Sequence, residues 1–334
     1  MKPSGALFRA RRMARAVSRE VSTELERARY ARGGRADLAL FHELVPSPTG
    51  GGHQFLRALL GELERRGLQV ELNRISRDTP ACLFNSFNFD FRRLRRFARS
   101  GCRMVHRVDG PVGVYRGFDD GTDARIAQVN RDLADATIVQ SQYSLEAHRT
   151  LGIELRAPLV VRNSVDSAIF HPPASREPLG ARKARVIAVS WSDNLGKGAE
   201  VFAWLDRNLD WGRYELTLVG RSPVAFGRIR VGGPLPSHEL AEELRRHDLY
   251  LAASRNDPCS NALLEALACG LPAAYLASGG HPELVGEGGL PFEQAEELLD
   301  VLDRLLGELD ARREAIRVPL LSDVADRYLQ VLRA

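Results

Sequence analysis

Lysine is the first thing this sequence lacks. Only Lys2, Lys183 and Lys197 occur, and the other 44 of the 47 basic residues are arginine. So one-sided a choice reflects genome composition better than a nucleic-acid task, and no aromatic stacking pattern accompanies it. Cysteine is scarce too. Cys82, Cys102, Cys259 and Cys269 form no C-x-x-C pair and read as reduced core or loop thiols of a cytoplasmic protein. No run of eighteen apolar residues occurs, so no membrane-spanning helix is expected. No apolar segment follows the basic N-terminus, which argues against a secretory leader. No G-x-G-x-x-G follows the first predicted strand, which argues against an NAD enzyme. Asp119-Asp120-Gly121-Thr122-Asp123 reads as a turn with Asp123 near a helix start, not as a metal-binding DxD, and no metal or other cofactor is expected.

What is present is ordinary for a globular chain of two domains. It has 334 residues, 44 % hydrophobic and 27 % charged. The net charge of +4 is unevenly spread, with an excess of positive charge in the first half and of negative charge in the second. Much of the positive excess lies in residues 1–36, a basic arm with weak helical periodicity. A second cluster runs from Arg92 to Arg107. Either the arm or residues 90–107 offers possible peripheral contact with a membrane surface. The alternative is a solvated arm and an ordinary helix whose aromatics pack on a sheet. No nucleic-acid partner is expected.

From Asp37 onward short β-type runs alternate with helical periodicity. Strands are predicted at 37–41, 68–72, 81–84, 102–105, 136–139 and 158–161. The rhythm breaks over the proline-rich residues 166–183 and restarts with strands at 186–189, 214–219, 249–253 and 272–276. Strict alternation predicts an α/β architecture of two Rossmann-like, doubly wound parallel-sheet domains. The boundaries are 37–168 and 169–318, with a C-terminal helix in 319–334 crossing back to the first domain.

The distinctive residues of the second half fall at the carboxyl ends of its strands, where open parallel sheets bind ligands. Lys197 sits between two glycines at a helix start and can face a diphosphate. Ser260 or Asn261 can cap a helix that carries Glu265, and Asp257 lies in the loop before it. Gly279-Gly280 lets a backbone come close. Two carboxylates beside a helix N-terminus suit a ligand with hydroxyls and a phosphate.

These stretches resemble a known family. The run from Asp257 through Glu265 to Pro272 looks like the E-x7-E signature of the retaining group 1 (family 4) glycosyltransferases of GT-B fold. Gly50-Gly51-Gly52-His53-Gln54 resembles that family's N-terminal glycine loop. The run from Asn163 to Pro172 resembles its linker motif, Lys197-Gly198 its phosphate lysine, and the run from Ser278 to Val285 its last donor loop. The resemblance spans residues 37–334 and implies two domains facing across a cleft. It implies transfer of a sugar from a nucleotide-sugar donor with retention of configuration and without a metal. The acceptor would be a glycan, a polysaccharide precursor or a lipid-linked molecule, met in the cytoplasm or at the inner face of the membrane.

By the same resemblance, Lys197 neutralises the donor diphosphate and Glu265 holds the ribose. Asp257 contacts the transferred sugar, and the amides of Gly280 and His281 contact sugar or phosphate. Gly51 and Gly52 sit beside phosphates or acceptor. His106 takes the place of the active-site histidine, with Arg107 and Asp109 orienting it or binding acceptor. Two departures stand out. Asp257 replaces the usual Glu, and no arginine accompanies Lys197 in Ser190-Trp191-Ser192, so Arg221 or Arg255 would have to replace it. Two alternatives follow: a catalytically weak sugar-nucleotide-binding protein, or a nucleotide-sugar epimerase or phosphorylase of the same architecture.

Overall fold

The computed structural model describes residues 36–44, 51–98, 101–190 and 194–334. The basic arm, Gly50 and Trp191 to Asp193 lie outside the described residues.

The alternation builds two six-stranded sheets, both wholly parallel. The first runs in the order β2 (Val70–Leu72), β1 (Leu38–Phe41), β3 (Ala81–Phe84), β4 (Arg103–Val108), β5 (Ala136–Val139), β6 (Pro158–Val160). The second runs β12 (Gly289–Phe292), β11 (Ala273–Leu276), β10 (Leu249–Ala252), β7 (Ala184–Ser190), β8 (Tyr214–Gly220), β9 (Arg230–Gly232). β9 and β12 are not anticipated by the sequence. β9 is three residues with no buried side chain, and Pro291 interrupts the apolar run of β12.

Both faces of each sheet are covered, which is why the central strands read as apolar runs without a polar face. In β1, Leu38 and Leu40 pack with Phe55, Leu59 and Tyr328, whereas Ala39 and Phe41 pack with Leu94 and Phe97. In β7, Val186 and Ala188 join Phe202, Leu205 and Leu302, while Ile187 joins Leu240, Leu263 and Leu267. The helices that matter for the site are α1 (Gly51–Arg65), α2 (Phe91–Phe97), α3 (Val112–Arg116), α4 (Thr122–Leu133) and α5 (Gln142–Thr150) in the first domain. In the second they are α6 (Ala199–Asn208), α7 (Ser237–Arg245), α8 (Asn261–Ala268) and α9 (His281–Val285).

The arginine-rich helix α2 is capped by Asp90, which accepts from the amides of Arg92 and Arg93. Its Leu94 and Phe97 are turned into the core, and Arg95 pairs with Asp132 at 2.7 Å. Its apolar side is therefore used internally. No described helix is long and apolar enough to cross a membrane. After β12 come two helices, α10 (Leu298–Gly307) and α11 (Leu309–Ala315), which part where Glu308 leaves helical geometry at φ −110°.

The chain passes from β6 to β7 through residues 161–183, which form no strand, and the last helix returns. α12 (Leu321–Arg333) lays Val324, Ala325, Tyr328, Leu329 and Leu332 into the core of the first domain. Tyr328 is fully buried and its ring lies 5.8 Å from that of Phe55. Tyr328→Ala should destabilise by about 3–5 kcal/mol, the usual cost of emptying a large core site. A melting temperature within 2 °C of wild type would contradict this packing role.

Candidate active site

Parallel strands send all their carboxyl ends to one edge, and the two sheets turn those edges toward each other. In the first sheet the order in which strands are added reverses between β1 and β3; in the second it does so between β7 and β10. Such switch points leave a crevice. The crevices meet in one cleft of about 470 Å3, lined by both domains.

The wall on the second domain comes from the loops after β7 and β10. Asn194 accepts from the Gly196 amide and starts a tight turn that presents Lys197. Gly198 ends the turn at φ +97°, and a Cβ there would lie 2.5 Å from that of Ala253, so only glycine lets the turn seat against β10. Lys197 Nζ donates to Asp257 Oδ2 at 2.7 Å. Burial works against the Asp257 carboxylate, but Lys197, His281 and the Cys259 amide together hold its pKa below the ordinary value. Ser260 caps α8 by accepting from Leu263 N, and Ser260, Asn261 and Ala262 line the cleft. Eight positions after Asp257, Glu265 lies buried at the boundary between the cleft and a second cavity of about 330 Å3. Burial alone pushes its pKa up to about 8. The two carboxylates are thus tuned in opposite directions.

The facing wall is built on Arg107, whose side chain has no access to solvent. Its Nη1 donates to Asp109 Oδ1 and to Asn85 Oδ1, both at 2.8 Å, and its Nη2 donates to Asn163 Oδ1 at 3.2 Å. Asn85, fixed in this way, turns its amide toward His42 Nδ1 at 3.4 Å. That assigns the proton of neutral His42 to Nε2, which donates to His53 Nδ1 at 2.9 Å. Burial, with His53 and Arg107 nearby, lowers the His42 pKa to about 4, so the ring is neutral at pH 7. Asp109, His42, His53 and Gly52 all line the cleft. Gly51 is the first residue of α1.

Several predicted site residues are not brought to the cleft. His106 is fully buried, stacked 4.3 Å from Phe84, with Nδ1 3.1 Å from the Asn130 amide and its pKa lowered by burial to about 3. The reason is strand parity. In β4 it shares a face with Met104, and the cleft position falls to Asp109 just beyond the strand end. Arg107 accordingly orients Asp109, not His106. Arg221 and Arg255 are exposed and neither lines the cleft. The Gly280 amide is already engaged with Asp257 O at 2.8 Å, and the His281 ring bridges Ser254 and Leu276 O. A Cβ at Gly279 or Gly280 would come within 2.4 Å of the backbone of Asp257 or Pro258. These glycines shape the Asp257 loop, and the amides of Gly280 and His281 are taken up within it, by Asp257 O and Ser278 O. Sequence reasoning also missed His42 and Asn85. Their signal was their place, each directly after a strand that flanks the switch point. Asp123 accepts from the amides of Val112 and Gly113 and so anchors α3.

The walls are held together by polar contacts. Glu283 of α9 accepts from the first amides of α5, Gln142 N at 2.9 Å and Tyr143 N at 2.7 Å. Ser141 Oγ donates to Pro258 O, Tyr143 Oη to Asn256 Oδ1, and Asn163 Nδ2 to Asn261 Oδ1.

This architecture is known. Sucrose-phosphate synthase from Thermosynechococcus elongatus superposes with a TM-score of 0.69 at 17 % identity, covering 90 % of this chain and 98 % of the other. HepE of Anabaena, in complex with UDP and glucose, gives 0.67 at 17 % identity, covering 89 % and 99 %. The catalytic domain of starch synthase IV from Arabidopsis thaliana, bound to ADP and acarbose, gives 0.64 at 11 % identity, covering 90 % and 99 %. Residues 203–308 match the family described as glycosyl transferases group 1. No curated protein sequence matches the chain. The fold is therefore GT-B, and the segment that carries Asp257 and Glu265 is of the group 1 type.

Two outcomes follow from the geometry. Glu265 holds its proton in the native state between its unfolded pKa near 4.5 and its folded value of about 8. The stability this contributes is full below pH 4.5 and is lost as pH rises through 8, by up to about 1.4 kcal/mol per pH unit. The melting temperature of Glu265→Gln should therefore gain on wild type from pH 5 to pH 8; a gap independent of pH would refute the uncompensated burial. Glu283→Ala removes an acceptor shared by two amides of the other domain. It should raise the radius of gyration in small-angle scattering, and unchanged scattering would show that Glu283 does not hold the cleft closed.

Proposed function

We propose that the protein transfers a sugar from a nucleotide-sugar donor to an acceptor hydroxyl, with retention of anomeric configuration and without a metal. The observation that carries this reading is one wall of the cleft: Lys197 on Asp257 beside the start of α8, with Glu265 buried behind them. The donor diphosphate lies against Lys197 and the first turn of α8, whose leading amides lack intrahelical carbonyls. Glu265 accepts from the ribose hydroxyls. A diol donates hydrogen bonds to the carboxylate and favours its charged form, so donor binding drives a proton off Glu265. Asp257, tied to Lys197, faces the sugar.

In the transfer, the bond from the anomeric carbon to the diphosphate oxygen breaks and a bond to the acceptor oxygen forms on the same face. The acceptor proton passes to the leaving phosphate oxygen. Negative charge grows on the diphosphate, and Lys197 with the α8 amides stabilises it. Asp109, His42 and His53 form the acceptor wall, where neutral His42 fixes the ring of His53 and the Nε2 of His53 is left to meet a hydroxyl. The similar chains solved with UDP and glucose and with ADP support a nucleotide-dependent donor for this one. They do not choose its base. The acceptor is a glycan, a polysaccharide precursor or a lipid-linked molecule. Among the described residues no group of three or more His, Cys, Asp or Glu side chains is placed to hold a metal ion.

Titration with UDP, ADP and GDP, each against its nucleoside, tests the reading. At least one diphosphate should bind wild type, and Lys197→Met should weaken it at least about tenfold, a loss of about 1.4 kcal/mol, with the nucleoside unaffected. Glu265→Ala should weaken both. A wild-type protein that binds none of the three diphosphates would overturn the assignment.

A further inference from the structure

The donor wall has a charge deficit. Lys197 is its one cleft-lining cation among the described residues, and its charge is already matched by Asp257. The pair is neutral as a unit. A nucleoside diphosphate arriving there brings more than one negative charge into a site that is partly shielded from water, where unmatched charge is costly. Neither Arg221 nor Arg255 lines the cleft.

The missing cation is on the other domain. Arg116, the last residue of α3, lines the same cleft as Lys197. Its ion pair with Asp120 is long at 3.8 Å and open to solvent. Its guanidinium lies 5.8 Å from the ring of Phe87 and 5.9 Å from that of Tyr115, which also line the cleft. Aromatic faces hold an arginine in place without consuming its donors.

Two further contacts set its position. Asn194, whose Oδ1 starts the Lys197 turn, donates from Nδ2 to the carbonyl of Tyr115 at 3.1 Å. The residue preceding Arg116 is thus bonded to the turn that presents Lys197. At its other end α3 is anchored by Asp123, which accepts from two of its amides.

We propose that Arg116 binds the donor diphosphate from across the cleft, as the second cation beside Lys197. This inference rests on the function proposed above and extends it. The diphosphate would bridge the two domains, Lys197 and α8 on one side and Arg116 on the other. Phosphate oxygens suit the planar fork of a guanidinium, which can meet two of them at once.

The test uses the full chain and the diphosphate that binds best among UDP, ADP and GDP, with its nucleoside as control. Arg116→Met should weaken the diphosphate about tenfold or more, leave the nucleoside unchanged, and flatten the dependence of affinity on salt. Arg116→Lys should recover part of the loss. Arg116 is on the surface of the cleft and outside the core, and equal melting temperatures for the unliganded proteins confirm that each variant is folded. Diphosphate affinity unchanged in Arg116→Met overturns this inference alone. Equal weakening of diphosphate and nucleoside also overturns it, because the effect would then not lie at the phosphates. Absence of diphosphate binding by wild type overturns the function and this inference together.

Discussion

A guanidinium sealed from water governs the arrangement of this molecule. Burying the Arg107 charge carries an effective cost of several kcal/mol unless its donors are met. Its two terminal nitrogens are met by Asp109, Asn85 and Asn163, which belong to three separate segments, while the buried Nε has no partner among the described residues. Each partner is drawn to a fixed place by that demand. Asp109 is set at the edge of the cleft, Asn85 is turned so that it orders His42 and His53, and Asn163 passes the constraint to Asn261 at the start of α8. One buried charge thereby registers the acceptor wall, the linker and the donor helix against each other. Removing it would leave Asp109 without its countercharge and three polar groups without their shared donor.

The two carboxylates of the donor wall show how environment divides like residues into different roles. Asp257 and Glu265 stand eight positions apart, both largely buried. Asp257 has a lysine, a histidine and an amide around it and remains charged. Glu265 has burial as its only perturbation and keeps its proton near neutral pH. An empty site with two bare carboxylates would repel a diphosphate. Here one is paired and the other is neutral until hydroxyl donors arrive, so the resting charge of the wall is low without any residue being removed.

The fold was legible because its signals are local and redundant. Apolar strands alternating with helical periodicity leave little choice but parallel sheets covered on both faces. The donor wall was legible for a related reason. Lys197 and Asp257 lie in the loops that leave β7 and β10, Ser260 and Glu265 cap and ride the helix that follows, and a loop–helix unit keeps such neighbours together. The acceptor wall was less so. Whether His106, Arg107 or Asp109 meets the cleft depends on strand parity and on where β4 ends, and a shift of one residue exchanges the faces. His106 lost to Asp109 on that count. Gly279 and Gly280 misled for another reason: a glycine that lets a ligand approach and one that lets a neighbouring loop approach look alike in sequence. The pairing of Arg107 with Asn85 and Asn163 spans 22 and 56 residues and has no local signature.

The contacts that join the two domains differ in kind from those that hold each domain together. Within a domain, side chains such as Tyr328 and Leu302 bury apolar surface that water cannot compensate. Across the cleft, Glu283 meets two helix amides, Ser141 meets a carbonyl, and Tyr143 meets Asn256. Every one of these groups can hydrogen-bond to water when parted, so the net worth of each contact is only about 0.5–3 kcal/mol. Opening therefore costs far less than unfolding either half. That ratio suits a cleft that must admit a polar ligand and then exclude water around it. A diphosphate held from both sides would add charged contacts that water replaces poorly, and so tip the balance toward the closed form. Lys197 and Arg116 on opposite walls would then make closure and charge compensation one event.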